Sequence, residues 1–469
     1  MTPSRTRFFF AALALLSGAR ALPAQTPDVV VQEERRNAPA QQAKPYVVLV
    51  SIDGFRPDYV ETVPAPRIAQ FRRKGAAAPY MLPVFPSKTF PNHYSIITGM
   101  YPGTHGLVGN QMWDPVLRDS FRVGDPATEL NPQWYGGEPL WVTAERQGML
   151  SAALYWPGSQ VPIGGILPTY HARYDKSVPS GARMDQVLKW LRLPPERRPH
   201  LVAVYLSEVD EGHHPPGSPE VRAAVTRVDS VLDLLLNGIN GLPIARQVNV
   251  VLVSDHGIQD VRAGRTRFLA DHIPLEGVRV VGTGPTTSLF FDGDTAALER
   301  ARTALRRGLP GAGVYRRAEI PARYHLSASP RAGDLLVEMP APDLIAARRP
   351  GWGNDDANHG YDPATPSMHA FFAAAGPAFR QRTRVPAFEN VHLYPLITTI
   401  LRLRPNPAID GRASVLAPLL RKTAGLTQRH RDTERRTKEV LCGLQFPLCS
   451  LCEAFLLTRH TSCFTSQST

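Results

Sequence analysis

Three separate apolar runs constrain this chain more than anything else in it. They are Tyr46-Val47-Val48-Leu49-Val50-Ser51-Ile52, Leu201-Val202-Ala203-Val204-Tyr205-Leu206 and Val248-Asn249-Val250-Val251-Leu252-Val253. Each has strand length and almost no polar alternation, the pattern of strands covered on both faces of a parallel sheet. Each also stops at acidic residues: Asp53-Gly54, then Glu208 and Asp210, then Ser254-Asp255-His256-Gly257. Between the second and third runs, Val221, Ala224, Val225, Val228, Val231, Leu232 and Leu235 recur at helical spacing, and Gly238 reads as the cap that ends the helix. Strand, helix and strand of this size make a right-handed parallel crossover. The expected fold class is therefore α/β, with a mostly parallel central sheet flanked by helices.

Composition narrows the alternatives. With 469 residues the chain can form two or three ordinary domains, or one large α/β domain with insertions. Its 36 Gly and 45 Pro fall short of the roughly 25–30% that marks a low-complexity polymer. All four cysteines lie after residue 440, so the body must fold without a covalent staple. The net charge of +12 is uneven: residues 1–25 hold +3 and residues 421–469 hold +4. What remains is a mild excess for the body, and no basic stripe interleaved with aromatics marks a nucleic-acid surface.

The ends read differently from the middle. Arg5 and Arg7 precede an apolar run over residues 8–16, and Ala19-Arg20-Ala21 fits a small-x-small cleavage site, with Ala24 a second candidate. Residues 1–24 thus read as a secretory signal peptide, too short to span a membrane. A periplasmic or secreted location follows. Residues 25–44 read as a flexible leader and 45–420 as the catalytic domain. Residues 421–469 read as a basic, poorly ordered tail. Cys449 and Cys452 have the spacing of half a zinc ribbon, but Cys442 and Cys463 do not supply the other half.

The acidic strand ends suggest chemistry. Open α/β sheets place ligands beyond the carboxyl ends of their strands. One acid there is commonly a helix cap. Three strands delivering Asp53, Asp210 and Asp255, with His256 adjoining and an isolated His359 in Asn358-His359-Gly360-Tyr361-Asp362, are not explained by caps. Mixed His and carboxylate donors suit zinc better than magnesium or calcium. In Phe85-Pro86-Ser87-Lys88-Thr89-Phe90-Pro91-Asn92-His93, Pro91 suits an early helix position. That puts Thr89 at a helix N-terminus, where backbone N–H groups face an anion. Alone, Thr89 would read as an N-cap; beside metal ions it reads as a nucleophile.

Ser51-Ile52-Asp53-Gly54-Phe55-Arg56, Lys88-Thr89-Phe90-Pro91-Asn92-His93, Ser254-Asp255-His256-Gly257 and His359-Gly360-Tyr361-Asp362 together resemble the nucleotide pyrophosphatase/phosphodiesterase family. This family belongs to the alkaline phosphatase superfamily. The resemblance runs from about Tyr46 to Gly411 and implies an alkaline-phosphatase-like fold with cap or insert segments. It also implies two zinc ions per chain, one held by Asp210, His214 and His359, the other by Asp53, Asp255, His256 and the Thr89 hydroxyl. Asn110 matches the Asn that donates to a phosphoryl oxygen. Phe90 and Tyr174 match an aromatic pair that grips a nucleobase, with Tyr205 bordering that pocket.

One departure from the family pattern stands in Asp210-Glu211-Gly212-His213-His214-Pro215-Pro216-Gly217. The Asp-to-His spacing of four selects His214, while the Gly-His adjacency selects His213; spacing governs metal geometry, so His214 is the expected ligand. The implied activity is cleavage of a nucleotide phosphodiester or pyrophosphate through a nucleotidyl-threonine, releasing a nucleoside 5′-monophosphate. The substrate would be a small nucleotide or other phosphodiester. A phosphomonoesterase or phosphonate hydrolase on the same bimetal core is the alternative, and a non-catalytic zinc-binding envelope protein a more distant one.

Overall fold

The central sheet of the computed structural model, which describes residues 25–261, 264–349 and 356–422, has eight strands. They are β1 (Val29–Val31), β2 (Tyr46–Ile52), β3 (Ala76–Ala77), β4 (Ser151–Leu154), β5 (Tyr170–Ala172), β6 (Leu201–Leu206), β7 (Val248–Val253) and β8 (Phe372–Ala375). Their order is β1-β5-β4-β6-β2-β7-β8-β3. The five inner strands from β5 to β7 are parallel, and β1, β8 and β3 add antiparallel edges. The three apolar runs are thus β2, β6 and β7, side by side at the centre with the bounds their sequence implies.

Side chains of a strand alternate between faces, so these wholly apolar strands feed two cores at once. Val47, Leu49, Ala203, Val251 and Val253 pack on one side with helices α2 (Thr89–Thr98) and α5 (Leu393–Leu401). Val48, Val50, Val202, Val204 and Leu252 pack on the other with α1 (Pro66–Lys74), α3 (Ser180–Leu191) and α4 (Pro219–Asn240). Leu49 and Leu252 are fully buried, one in each core; truncating either to Ala should cost about 2–5 kcal/mol. An insert after β7 forms a separate four-stranded antiparallel sheet from Arg279–Val281, Thr286–Phe290, Gly313–Arg316 and Leu335–Glu338. It buries its own apolar cluster around Leu289, Leu305 and Leu335.

Two expectations are corrected. Residues 25–44 are not a flexible leader. Val29–Val31 is the edge strand β1, paired with β5, and Asn37 is buried with its amide donating to the Pro195 and Arg198 carbonyls and its Oδ1 accepting from Leu150 N–H. A three-residue strand and a buried Asn carry no periodic signal, which is why the segment reads as irregular. Gly238 does not cap α4, which runs to Asn240 and is followed by Gly241. A Cβ on Gly238 would lie 2.3 Å from Leu188 Cδ1; the glycine lets α4 approach α3. The N-terminal end is conventional, with the Ser218 hydroxyl accepting from Val221 N–H at 3.2 Å. The expected signal peptide and the tail from residue 423 lie outside the described residues.

Candidate active site

The site lies where β2, β6 and β7 end. Asp53 follows β2, Asp210 follows β6, and Asp255 and His256 follow β7. Gly54 has φ +67°, and a Cβ there would lie 3.0 Å from Asp210 Cβ. Only glycine takes this turn cheaply, and its bare Cα lets the β2 and β6 loops close on each other. Gly54 N–H also donates to Asp255 Oδ1 at 3.2 Å, tying the third loop to the first.

Two groups of potential ligands result, Asp53 with Asp255 and His256, and Asp210 with His256 and His359, each with its donor atoms within 4.8 Å of one another. His256 belongs to both. Its Nε2 lies 3.3 Å from Asp53 Oδ1 and 3.0 Å from Asp255 Oδ2. His359 Nε2 is 3.8 Å from Asp210 Oδ2, and the two imidazoles stack with centroids 3.7 Å apart. His256 Nδ1 donates to the Gly257 carbonyl and His359 Nδ1 to the Ser87 carbonyl, each at 2.9 Å. A carbonyl can only accept, so each Nδ1 carries a proton. On His359, which burial keeps neutral, the Nε2 lone pair faces the site, while on His256 burial is outweighed by Asp255, which raises its pKa.

The electrostatics ask for cations. Burial pushes the Asp53 carboxyl well above its ordinary range, and the neighbouring Asp255 and Asp210 push it further. Burial and the adjacent His256 pull His359 well below the usual imidazole value, keeping it neutral. Asp53 Oδ1, Asp210 Oδ1 and Asp255 Oδ2 are buried with no hydrogen-bond partner. Three carboxylates gathered at one site, each with a buried oxygen lacking a hydrogen-bond donor, fit divalent metal ions.

Thr89 is the first residue of α2, and its Oγ1 lies 3.4 Å from His256 Nε2, beside the residue the two groups share. The next N–H, of Phe90, donates to Asn110 Oδ1 at 3.0 Å. That bond uses the carbonyl side of Asn110 and leaves its NH₂ to donate. Thr89 and Asn110 line a cavity of about 340 Å³ with Asp210 and His359.

Not every expected residue takes its expected place. His214 lines a separate surface depression with Glu208, Glu211 and Glu220. It is His213 that enters the main cavity, with Nε2 3.6 Å from Asp210 Oδ2. Gly212 and His213 are both left-handed, at φ +82° and +47°, so the chain reverses early and turns the first histidine inward. Tyr205 has a second partner besides the Tyr174 ring: its hydroxyl donates to Asp53 Oδ2 at 2.5 Å. Phe90 is buried against Phe121, whereas Tyr174 is 43% exposed and meets Tyr155 and Tyr205. Neither Phe90 nor Tyr174 lines the cavity.

His93 is a further site residue, which the acidic strand ends do not point to. Its Nδ1 lies 2.9 Å from the Thr89 carbonyl and 3.3 Å from Asp255 Oδ2, and its Nε2 is 2.9 Å from Ser51 Oγ. It thus connects α2 to strand β2 and to the loop after β7. The signal was its place four residues after Thr89, one helical turn along the same face.

Fold and site together define an α/β protein of alkaline-phosphatase-like architecture with a paired carboxylate–histidine centre beside a helix-borne threonine. Residues 47–362 match the type I phosphodiesterase/nucleotide pyrophosphatase family. The chain belongs to that family. It is 35% identical over 373 residues to a venom phosphodiesterase of Macrovipera lebetinus, covering 77% of this chain and 44% of the relative. It is likewise 35% identical over 384 residues to human ectonucleotide pyrophosphatase/phosphodiesterase family member 1, covering 79% of this chain and 41% of the relative. The chain spans less than half the length of these curated relatives. Among solved structures, murine ectonucleotide pyrophosphatase/phosphodiesterase 5, an inactive threonine-to-alanine variant in complex with AMP, superposes with a TM-score of 0.75. It is 30% identical and covers 81% of this chain and 100% of that one. The human protein 5 superposes with a TM-score of 0.76 at 28% identity, covering 80% of this chain and 100% of its own.

Proposed function

We propose that this protein is an exported two-zinc nucleotide pyrophosphatase/phosphodiesterase that releases nucleoside 5′-monophosphates through a covalent threonine intermediate. One observation carries the reading: Thr89 Oγ1 stands at the start of α2, 3.4 Å from the His256 Nε2 shared by two acid–histidine groups. Asp53, Asp255, His256 and the Thr89 hydroxyl would hold one ion. Asp210, His359 and a histidine of the His213–His214 pair would hold the other. Bound there, zinc would supply positive charge to the phosphoryl oxygens and favour the alkoxide form of Thr89.

The residues then have distinct tasks. Thr89 Oγ attacks phosphorus, the new P–O bond forms in line with the departing ester or anhydride oxygen, and a nucleotidyl-threonine remains. Water attacks from the side the leaving group vacated and regenerates the hydroxyl. Asn110 Nδ2 donates to a non-bridging oxygen as its charge grows, an interaction worth most in the transition state. Phe90 and Tyr174 are assigned to the nucleobase. Among the described residues no helix is long and apolar enough to cross a membrane, and the amino-terminal sequence supports export to the periplasm or medium.

The test compares mature zinc-loaded protein on a p-nitrophenyl ester of a nucleoside 5′-monophosphate and on p-nitrophenyl phosphate. The diester should be strongly preferred. Thr89→Ala should lose about 10³-fold or more in turnover while retaining close to two zinc ions. Preference for the monoester would overturn the substrate class, and unimpaired turnover by Thr89→Ala would overturn the covalent route.

A further inference from the structure

Tyr324, in the insert, reaches the segment that carries Thr89 and the segment that carries His359. It ends the short turn Ala322–Tyr324 between the insert strands Gly313–Arg316 and Leu335–Glu338, and it is buried. Its ring stacks on that of Phe85, with centroids 3.8 Å apart and planes inclined by 10°. Phe85 lines the Thr89 cavity and shortly precedes Thr89, which opens α2. The Tyr324 hydroxyl lies 2.6 Å from Glu338 Oε1 and 2.9 Å from Asp362 Oδ2. Asp362 closes the stretch His359-Gly360-Tyr361-Asp362.

These two segments already depend on each other. The Ser87 carbonyl accepts from His359 Nδ1, and the Ser87 hydroxyl donates to the Tyr361 carbonyl, both at 2.9 Å. A shift of residues 85–88 would therefore turn the His359 ring as well as displace Thr89. Tyr324 closes this frame from the insert side, its ring against Phe85 and its hydroxyl beside Asp362. Burial, then the bond to Glu338, push the Tyr324 hydroxyl well above its ordinary pKa, so it stays a donor. A phenol has one proton, which goes to Glu338 or to Asp362. Arg323 Nη2 donates to the phenol oxygen at 2.9 Å and also to Asp362 Oδ2, so Asp362 is held in either case. Glu338 is buried within the insert sheet, where its strand pairs on both sides, and this fixes the far end of the contact.

From this geometry we infer that Tyr324 is a positioning residue, by which the insert holds the Thr89 end of α2 and the His359 loop at a fixed separation. The ring acts on Thr89 through Phe85, and the hydroxyl acts on His359 through Asp362. The inference rests on the phosphodiesterase reading above, which gives Thr89 and His359 their tasks. A misplacement of about 1 Å at a reacting atom can cost about 10²-fold in rate. Tyr324 is not among the residues lining the Thr89 cavity, so its effect belongs in kcat and in metal affinity, and KM should hold.

The experiment measures kcat and KM of the full chain on a p-nitrophenyl nucleoside 5′-phosphate, and zinc affinity by competition with a chromophoric chelator. Tyr324→Phe keeps the ring, Tyr324→Leu removes it, and Leu335→Ala opens the insert's own apolar cluster as a control. Tyr324→Leu should lower kcat about 10²-fold and Tyr324→Phe about ten-fold, each with KM within about two-fold of wild type. The more weakly held zinc ion should bind about ten-fold less tightly in either variant. Leu335→Ala should leave all three quantities within about two-fold for its folded fraction. Unchanged kcat or unchanged zinc affinity in Tyr324→Phe, a loss confined to KM, or equal losses in Leu335→Ala would overturn the inference. Tyr324→Phe decides alone should Tyr324→Leu fail to fold. A wild-type chain that does not cleave the ester would overturn the phosphodiesterase reading, and zinc competition would then decide for or against Tyr324.

Discussion

Tyr205→Phe removes one oxygen atom, and the structure indicates how far the consequence should travel. The Tyr205 hydroxyl donates to Asp53 Oδ2 at 2.5 Å, while Asp53 Oδ1 lies 3.3 Å from His256 Nε2. Burial, then Asp255 and Asp210, push the Asp53 carboxyl up, and the Tyr205 bond works against them. Without the hydroxyl, Asp53 both loses its orientation and holds its proton to higher pH. A hydrogen bond to a charged group contributes about 1.5–3 kcal/mol, which corresponds to roughly ten- to a hundred-fold in metal affinity. Competition for zinc against a chromophoric chelator reads that loss directly. The direction with pH is also determined. A metal ion displaces the Asp53 proton, so a raised pKa moves the midpoint of zinc binding to higher pH in the variant. Unchanged affinity within about two-fold, or an unmoved midpoint, would refute the claim that Tyr205 orients Asp53.

Four further outcomes are expected. Since His213 faces Asp210 in the structure, His213→Ala should release zinc more readily than His214→Ala in an equilibrium dialysis. The reverse order would mean that residues 211–214 turn over when the ion binds, as the Asp-to-His spacing of four requires. Arg331→Met should cost about 3–5 kcal/mol by denaturant titration, because it leaves the buried Asp114 carboxylate without its cation. Burial alone would raise the Asp114 pKa, but the Arg331 bond and the Leu117 and Val116 N–H groups hold it below the usual value. Its contribution is therefore present at neutral pH and lost on acidification through that depressed pKa, and Arg331→Met should flatten this acid limb. Gly238→Ala should destabilise by about 1–3 kcal/mol through the clash with Leu188, whereas Gly241→Ala, with no atom nearer than 3.6 Å, should be nearly neutral in the same melt.

The elements that could be read in the chain were those whose residues declare their own surroundings. Strands β2, β6 and β7 are apolar throughout because both faces are covered, and their ends carry acids because ligand sites lie beyond parallel strands. Asp53, Asp255, His256 and His359 could be named before any geometry existed, and so could Thr89 ahead of Pro91. Segments whose order depends on remote partners read wrongly or not at all. Residues 25–44 look unstructured until Asn37 finds the backbone around Pro195, Arg198 and Leu150. Gly238 looks like a terminator until Leu188 arrives from α3.

Sequence by itself determined the class of sheet, the order of its strands along the chain and the donor types at their ends, because hydrophobic period and residue chemistry are local properties. Tertiary structure alone decided which histidine of an adjacent pair turns toward Asp210, that His256 serves both ligand groups, and that Tyr205 and His93 buttress Asp53 and Asp255. It also decided that an insert contributes Thr283, Thr286 and Arg331 to the lining of the Thr89 cavity. Apart from the local turn at Gly212 and His213, those are matters of distance between residues dozens to hundreds of positions apart, and a distance of that kind is set by how the layers pack, not by any spacing along the chain.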